Sequence, residues 1–220
     1  MMKFKTAIFD LDGTLLNTLE DLSDAVNYAL KQKAYPLRTM EEVRCFIGNG
    51  IEMLIRRAVP PETEEKDMLD TLSIFRDYYR THVRIKTQPF EGIPEAIDEL
   101  KNQGFALAVV SNKSHGETEA LVREFFGDAI TISLGRLPDF PKKPAPNGVL
   151  RVLTALGADA DSAVYIGDSD VDVATAKNAG LFSIGVTWGY RDKAVLADAG
   201  ADCIVDTPKE LLSLFLQEHQ

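Results

Sequence analysis

Short, almost wholly apolar runs recur along most of the chain, separated by stretches of helical periodicity. The runs are Thr6–Phe9, Phe105–Val110, Ile130–Leu134, Ala163–Ile166, Phe182–Val186 and Cys203–Val205. A strand with one face in water alternates apolar with polar residues, whereas a strand covered on both faces does not. These runs therefore read as strands of a mostly parallel sheet. Helices with proper ends lie between them. Pro94 suits the first turn of a helix reaching Asn102, with Gly104 placed to stop it. Asn147–Leu156 ends at Gly157, and Asp170–Asn178 ends before Gly180. This alternation predicts a doubly wound, Rossmann-like α/β fold.

One stretch breaks the rhythm. From Asn17 to about Val83 there is only helical spacing: Leu19, Leu22, Val26 and Leu30, then Met68, Leu72, Phe75 and Tyr79. It predicts a helical insertion over 17–83, with the α/β core formed by 1–16 and 84–220. Pro138–Pro146 reads as a Pro-rich loop.

Composition narrows the partners. With 24 Lys+Arg against 34 Asp+Glu the formal charge is −10, and the bases are not gathered on one segment. Such a chain repels nucleic acid and anionic membranes, so neither is an expected partner. No apolar run approaches the roughly 18 residues of a membrane span. The basic start Met1–Lys5 precedes too short an apolar run for a signal peptide. Cys45 and Cys203 lie far apart without metal-type spacing and read as two small buried or half-buried thiols. A cytoplasmic protein, monomer or homodimer, is expected.

Three polar constellations follow directly on predicted strands: Asp10-Leu11-Asp12-Gly13-Thr14, Ser111-Asn112, and Gly167-Asp168-Ser169-Asp170-Val171-Asp172. In open α/β sheets the crevice beyond the carboxyl ends of the strands binds ligands. Asp10, Asp12, Asp168 and Asp172 are thereby delivered to one sheet edge. Carboxylates gathered so closely need a countercharge, and oxygen-only ligands suit a hard cation such as Mg²⁺. Asp170 reads equally well as a helix N-cap. His82 and His115 have no partner acid or cysteine at useful spacing and read as surface or capping residues. Trp188 reads as half-buried packing near the edge of the site. Glu62, Glu64, Glu65 and Asp67 read as a solvated helix start.

Asp10 to Thr14 resembles the D-x-D-G-T signature of the haloacid-dehalogenase (HAD) superfamily of phosphatases. Ser111 resembles its second motif, Lys143-Pro144-Ala145-Pro146 its K-P-x-P, and Gly167 to Asp172 its G-D-S-x-x-D. The helical insertion lies where this superfamily places a cap. The resemblance implies that Asp10 is the nucleophile, forming an aspartyl-phosphate, and that Asp12 is general acid and then base. It implies Mg²⁺ on the Asp10 carboxylate, the Asp12 backbone carbonyl and Asp168, with Asp172 and Thr14 supporting them. Ser111, Asn112 and Lys143 would contact the phosphoryl group. Lys142 is a rival to Lys143, although the Lys–Pro step favours Lys143.

The cap would select the substrate. Its distinctive element is the turn Gly48-Asn49-Gly50 between two helices, and two glycines let backbone N–H groups approach a ligand. A simple helix–helix turn is the alternative. Arg56 and Arg57 could meet a substrate carboxylate. With Pro89–Gly92 and Gly185–Arg191, this segment resembles the phosphoglycolate phosphatase branch, which implies a small phosphorylated metabolite as substrate. A β-phosphoglucomutase-like mutase and a pyrophosphatase of the same superfamily remain alternatives. A dehalogenase would leave Asp12 and Asp168 without a role. A receiver-type signalling domain would leave the insertion unexplained.

Overall fold

The computed structural model describes residues 4–138 and 140–216. Met1–Lys3 of the basic start and Asp139 of the Pro-rich loop lie outside them. In chain order, β1 (Thr6–Phe9) and the short β2 (Leu16–Asn17) lead into α1 (Leu19–Gln32), α2 (Met40–Phe46), α3 (Ile51–Ala58) and α4 (Glu65–His82). There follow β3 (Gln88–Pro89), α5 (Ile93–Asn102), β4 (Ala106–Ser114), α6 (His115–Phe126), β5 (Ile132–Arg136) and α7 (Asn147–Leu156). The chain closes with β6 (Ala163–Gly167), α8 (Asp170–Ala179), β7 (Phe182–Val186), α9 (Lys193–Asp198), β8 (Cys203–Val205) and α10 (Pro208–Leu216). It divides into two compact units, one up to Leu16 and from Pro89 onward, the other Asn17–Gln88. The short strands β2 and β3, which contain the two crossings, pair with each other.

In the first unit the sheet runs β5-β4-β1-β6-β7-β8. Its neighbours pair in parallel throughout. The sheet builds outward from β1 through β4 to β5, then the chain crosses back to β6 and builds the other way. The order therefore reverses between β1 and β6. Phe9, the last residue of β1, pairs with both Val109 and Ile166, so the three strands are in register where β1 ends. Ile8, Ala108, Val110, Leu134, Val152 and Tyr165 form one buried cluster beneath those ends. Burial of each large apolar side chain contributes roughly 1.5–3 kcal/mol, enough to hold the strand ends rigid. Strand β4 continues four residues beyond the expected Val110, with a register shift before Ser114.

The second unit is helical. Leu22, Val26 and Leu30 of α1 and Met68, Leu72, Phe75 and Tyr79 of α4 are all buried, as their spacing predicts. The unit reaches Gln88 rather than Val83 because Asp21 of α1 is buried and needs donors. It accepts from the backbone N–H groups of Lys86 at 3.0 Å and Thr87 at 2.9 Å, and from the Thr87 hydroxyl at 2.8 Å. Among the described residues, no helix is long and apolar enough to cross a membrane.

Candidate active site

Asp10 follows β1 and Asp168 follows β6, so the two carboxylates flank the point where the strand order reverses. Asp172 joins them from the first turn of α8. One carboxylate oxygen from each of the three lies within 4.8 Å of the others, and all three residues are buried. Lys143 stands among them. Its Nζ is 2.8 Å from Asp10 Oδ1 and 2.7 Å from Asp172 Oδ1. It also donates to the Tyr165 hydroxyl at 3.1 Å, which in turn donates to the Val110 carbonyl at 2.7 Å. Of the two neighbouring lysines, Lys143 is buried here while Lys142 is exposed.

The backbone of Lys143 is held as firmly as its side chain. Asn112 Oδ1 accepts from its N–H at 2.9 Å, and Asn112 Nδ2 donates to its carbonyl at 3.3 Å. The amide expected to face a phosphoryl group thus brackets Lys143. Ser111, at the end of the same strand, is buried beside it.

Asp168 is seated by a second loop. Its Oδ2 accepts from the Tyr190 backbone N–H at 2.7 Å, and its Oδ1 takes a long contact, 3.4 Å, from the Thr14 hydroxyl. A Cβ at Gly13 or at Gly189 would collide with the Asp168 side chain, so both loops must be bare where they cross it. Gly13 also has φ +87°, which other residues rarely adopt. Trp188 is more than packing, because its indole N–H donates to the Thr14 carbonyl at 2.9 Å. Asp172 caps its own helix: Oδ2 accepts from Ser169 N–H at 3.1 Å and from the Ser169 hydroxyl at 2.6 Å. Ser169, not Asp170, is the N-cap of α8, a reciprocal capping box.

Burial pushes the Asp10 carboxyl up to about 7; Lys143 pulls it down, and Asp172 pushes it up again. Burial likewise pushes Asp168 up to about 8, with Asp172 and Asp10 adding to the rise. Burial opposes the charge of Lys143, but Asp10 and Asp172 outweigh it and hold the ammonium well above its ordinary value. Three buried carboxyl groups thus gather around the Lys143 ammonium. Asp10 Oδ1, despite its closeness to Lys143, has no partner in hydrogen-bonding geometry among the described residues. Both oxygens of Asp172 take close contacts, whereas Asp168 Oδ1 has only the long one from Thr14. An oxygen-only set of three buried carboxyls, with an Asp10 oxygen that is ion-paired but lacks a well-aligned hydrogen bond, fits a hard divalent cation.

Asp12 is half-buried, and its Oδ1 lies 3.2 Å from Lys113 Nζ. Lys113 was not among the expected site residues; the polar run Ser111-Asn112-Lys113-Ser114 on an otherwise apolar strand was its signal. Tyr165 and Gly189 were missed too, the first hidden in an apolar run and the second in a loop. Gly48, Asn49 and Gly50 belong to the helical unit, between α2 and α3, with φ +116° at Gly48 and +84° at Gly50. Arg57 donates to the Phe46 carbonyl and to Asn49 Oδ1, both at 2.8 Å. Arg56 forms a bidentate pair with Glu65 at 2.7 and 2.8 Å. Both guanidinium groups considered for a substrate carboxylate are therefore already partnered. The His82 ring stacks on Tyr78 with centroids 3.8 Å apart, in keeping with a structural part.

A family model for haloacid dehalogenase-like hydrolases matches residues 7–186. The chain belongs to that family. A phosphoglycolate phosphatase from Vibrio parahaemolyticus is 32% identical, over 96% of this chain and 95% of its own. A crystal structure from Lactobacillus delbrueckii subsp. bulgaricus superposes with a TM-score of 0.93 at 35% identity, covering 98% of this chain and 99% of that one. Another, of a predicted phosphoglycolate phosphatase from Haemophilus somnus, gives a TM-score of 0.89 at 31% identity, covering 97% and 99%. Within the family this haloacid dehalogenase-like hydrolase is a phosphatase, a phosphoric monoester hydrolase.

Proposed function

We propose that this phosphatase hydrolyses 2-phosphoglycolate or a similarly small phosphate monoester, through an aspartyl-phosphate on Asp10 and with Mg²⁺ as cofactor. The observation that carries the reading is the Asp10 carboxylate, set at the strand-order reversal with Lys143 Nζ at 2.8 Å. The substrate is argued from the relatives, of which the Vibrio parahaemolyticus protein is a phosphoglycolate phosphatase.

Asp10 attacks phosphorus in line, and the ester P–O bond breaks with its electron pair passing to the leaving oxygen. Asp12 gives that oxygen a proton. Asp12 then takes a proton from water, whose oxygen attacks the aspartyl-phosphate and frees phosphate and Asp10. Lys143 and the Ser111 hydroxyl meet the charge on the transferring oxygens, and Asn112 holds Lys143 in place. Asp10, the Asp12 backbone carbonyl and Asp168 would hold Mg²⁺, which when bound neutralises phosphate charge. Asp172 and Thr14 position Lys143 and Asp168. The Gly48-Asn49-Gly50 turn, kept in shape by Arg57, is the element of the helical unit that we assign to substrate selection. Cys203 is half-buried as expected, whereas Cys45 is exposed; two thiols so far apart in the sequence suit a reducing cytoplasm.

Phosphate release from a panel of small phosphate esters, with and without Mg²⁺, tests this. Turnover should need the metal and should favour 2-phosphoglycolate. If aryl phosphates rank equally, the substrate assignment is lost while the class survives.

A further inference from the structure

Two lysines serve this site, and each faces a different aspartate. Lys143 lies against Asp10, the carboxylate that attacks phosphorus. Lys113 lies against Asp12, the carboxyl that moves protons. We propose that Lys113 is a positioning residue that orients Asp12 for proton transfer, an inference that rests on the hydrolase reading above.

Lys113 stands on β4 two residues past Ser111, and its backbone N–H donates to Ser111 Oγ at 3.3 Å. Its side chain is 2% exposed and that of Asp12 16%, with Nζ 3.2 Å from Oδ1. A buried ammonium is costly unless it is paired, so a strand that directs a lysine inward fixes both ends of the contact. Asp12 needs that constraint. It sits on a tight loop beside Gly13, and its carboxyl turns freely about two side-chain bonds unless something grips it. An ammonium on Oδ1 leaves Oδ2 for the leaving group. As the P–O ester bond breaks, its electron pair goes to the ester oxygen and the Asp12 proton follows it. Lys113 stabilises the carboxylate left behind. No other reactant is involved, and Lys113 touches neither substrate nor phosphorus.

Leaving-group dependence separates this role from simple packing. An alkoxide leaving group needs a proton, whereas 2,4-dinitrophenolate does not. The measurement is kcat/KM, which covers the steps through phosphoryl transfer to Asp10, for 2-phosphoglycolate and for 2,4-dinitrophenyl phosphate, with Mg²⁺ present. Lys113→Met should lose about 10²-fold on the alkyl ester and at least about tenfold less on the aryl ester. Lys113→Arg should recover part of that difference. In an Asp12→Asn background, Lys113→Met should leave the ratio of the two esters where it was. Equal losses on both esters, or no loss on either, overturn the proposal. Should the Met variant not fold, Lys113→Gln must show the same selective loss. A wild-type protein that hydrolyses neither ester overturns the hydrolase reading itself. One that hydrolyses both, with an unmoved ratio in the variants, overturns only the role of Lys113.

Discussion

Lys143 and Asp172 form a buried ion pair, with Nζ and Oδ1 2.7 Å apart and side chains 4% and 2% exposed. The other oxygen of the same carboxylate caps α8 through Ser169. One side chain therefore starts a helix and anchors the ammonium that touches Asp10. The strand end and the two loops that build the site share this single joint.

Removing one partner of a buried pair typically costs about 3–5 kcal/mol where the remaining charge is left alone; in Asp172→Ala, Lys143 keeps Asp10 at 2.8 Å, so the loss should fall below that range. Asp172→Ala also loses the cap, worth about 1 kcal/mol. Urea unfolding should show its midpoint falling with little change in slope, and turnover should fall as Lys143 loses its anchor. Asp172→Asn, which keeps an oxygen for the cap, should lose less stability. Equal stability of Asp172→Ala and the parent chain would contradict the joint.

Stability of the metal-free protein should depend on pH in an unusual direction. The carboxyls of Asp10 and Asp168 rise from the ordinary 3.8 to about 7 and about 8 in the folded chain. Between those limits the folded state binds more protons than the unfolded state, so stability falls as pH rises. Unfolding in EDTA at pH 5.5 and pH 8 should show a loss on the order of a few kcal/mol at the higher pH. A divalent cation favours the ionised carboxylates, so Mg²⁺ should stabilise more at pH 8 than at pH 5.5. The same metal effect at both values would remove these carboxyls from the binding site.

Asp10→Asn should abolish turnover, by about 10³-fold or more, while leaving the fold intact. The substitution removes a buried charge whose neutral form the site prefers, and Lys143 keeps Asp172. At pH 8 in EDTA its unfolding midpoint should therefore be no lower than that of the parent chain. Loss of activity accompanied by loss of fold would assign Asp10 a structural part instead.

How much of this was legible in the sequence depended on distance along the chain. Runs such as Ala163–Ile166 declare covered strands because the pattern is local, and the helical stripe from Leu19 to Leu30 declares its face in the same way. The acids after β1 and β6 were legible because each follows its strand directly. Asp21 was not, since its donors at Lys86 and Thr87 lie some 65 residues on and only folding joins them. Tyr165 sat unremarked between Val164 and Ile166, where an aromatic reads as core; only its hydroxyl, turned to Lys143, tells otherwise. Lys113 was hidden by rarity, since a lysine past the end of an apolar run normally points to water.

Gly189 supplies the most local test of how Asp168 is seated. A Cβ there would overlap the Asp168 side chain and the Gly13 carbonyl, and a backbone oxygen cannot swing aside as a flexible side chain can. Gly189→Ala must displace either the Gly13 turn or the Asp168 carboxylate. Forced overlaps of this kind cost about 1–3 kcal/mol. The larger effect should be on metal affinity, because Asp168 would lose the seat given by Tyr190 N–H at 2.7 Å. The Mg²⁺ concentration for half-maximal turnover should rise at least about tenfold, the scale set by disturbing a ligand's supporting contacts. Gly116→Ala is the control, since its Cβ would meet nothing within 4 Å; on a helix it should leave metal affinity unchanged and stability no lower. If Gly189→Ala matches that control in both measurements, the crossing of the two loops is not what holds Asp168.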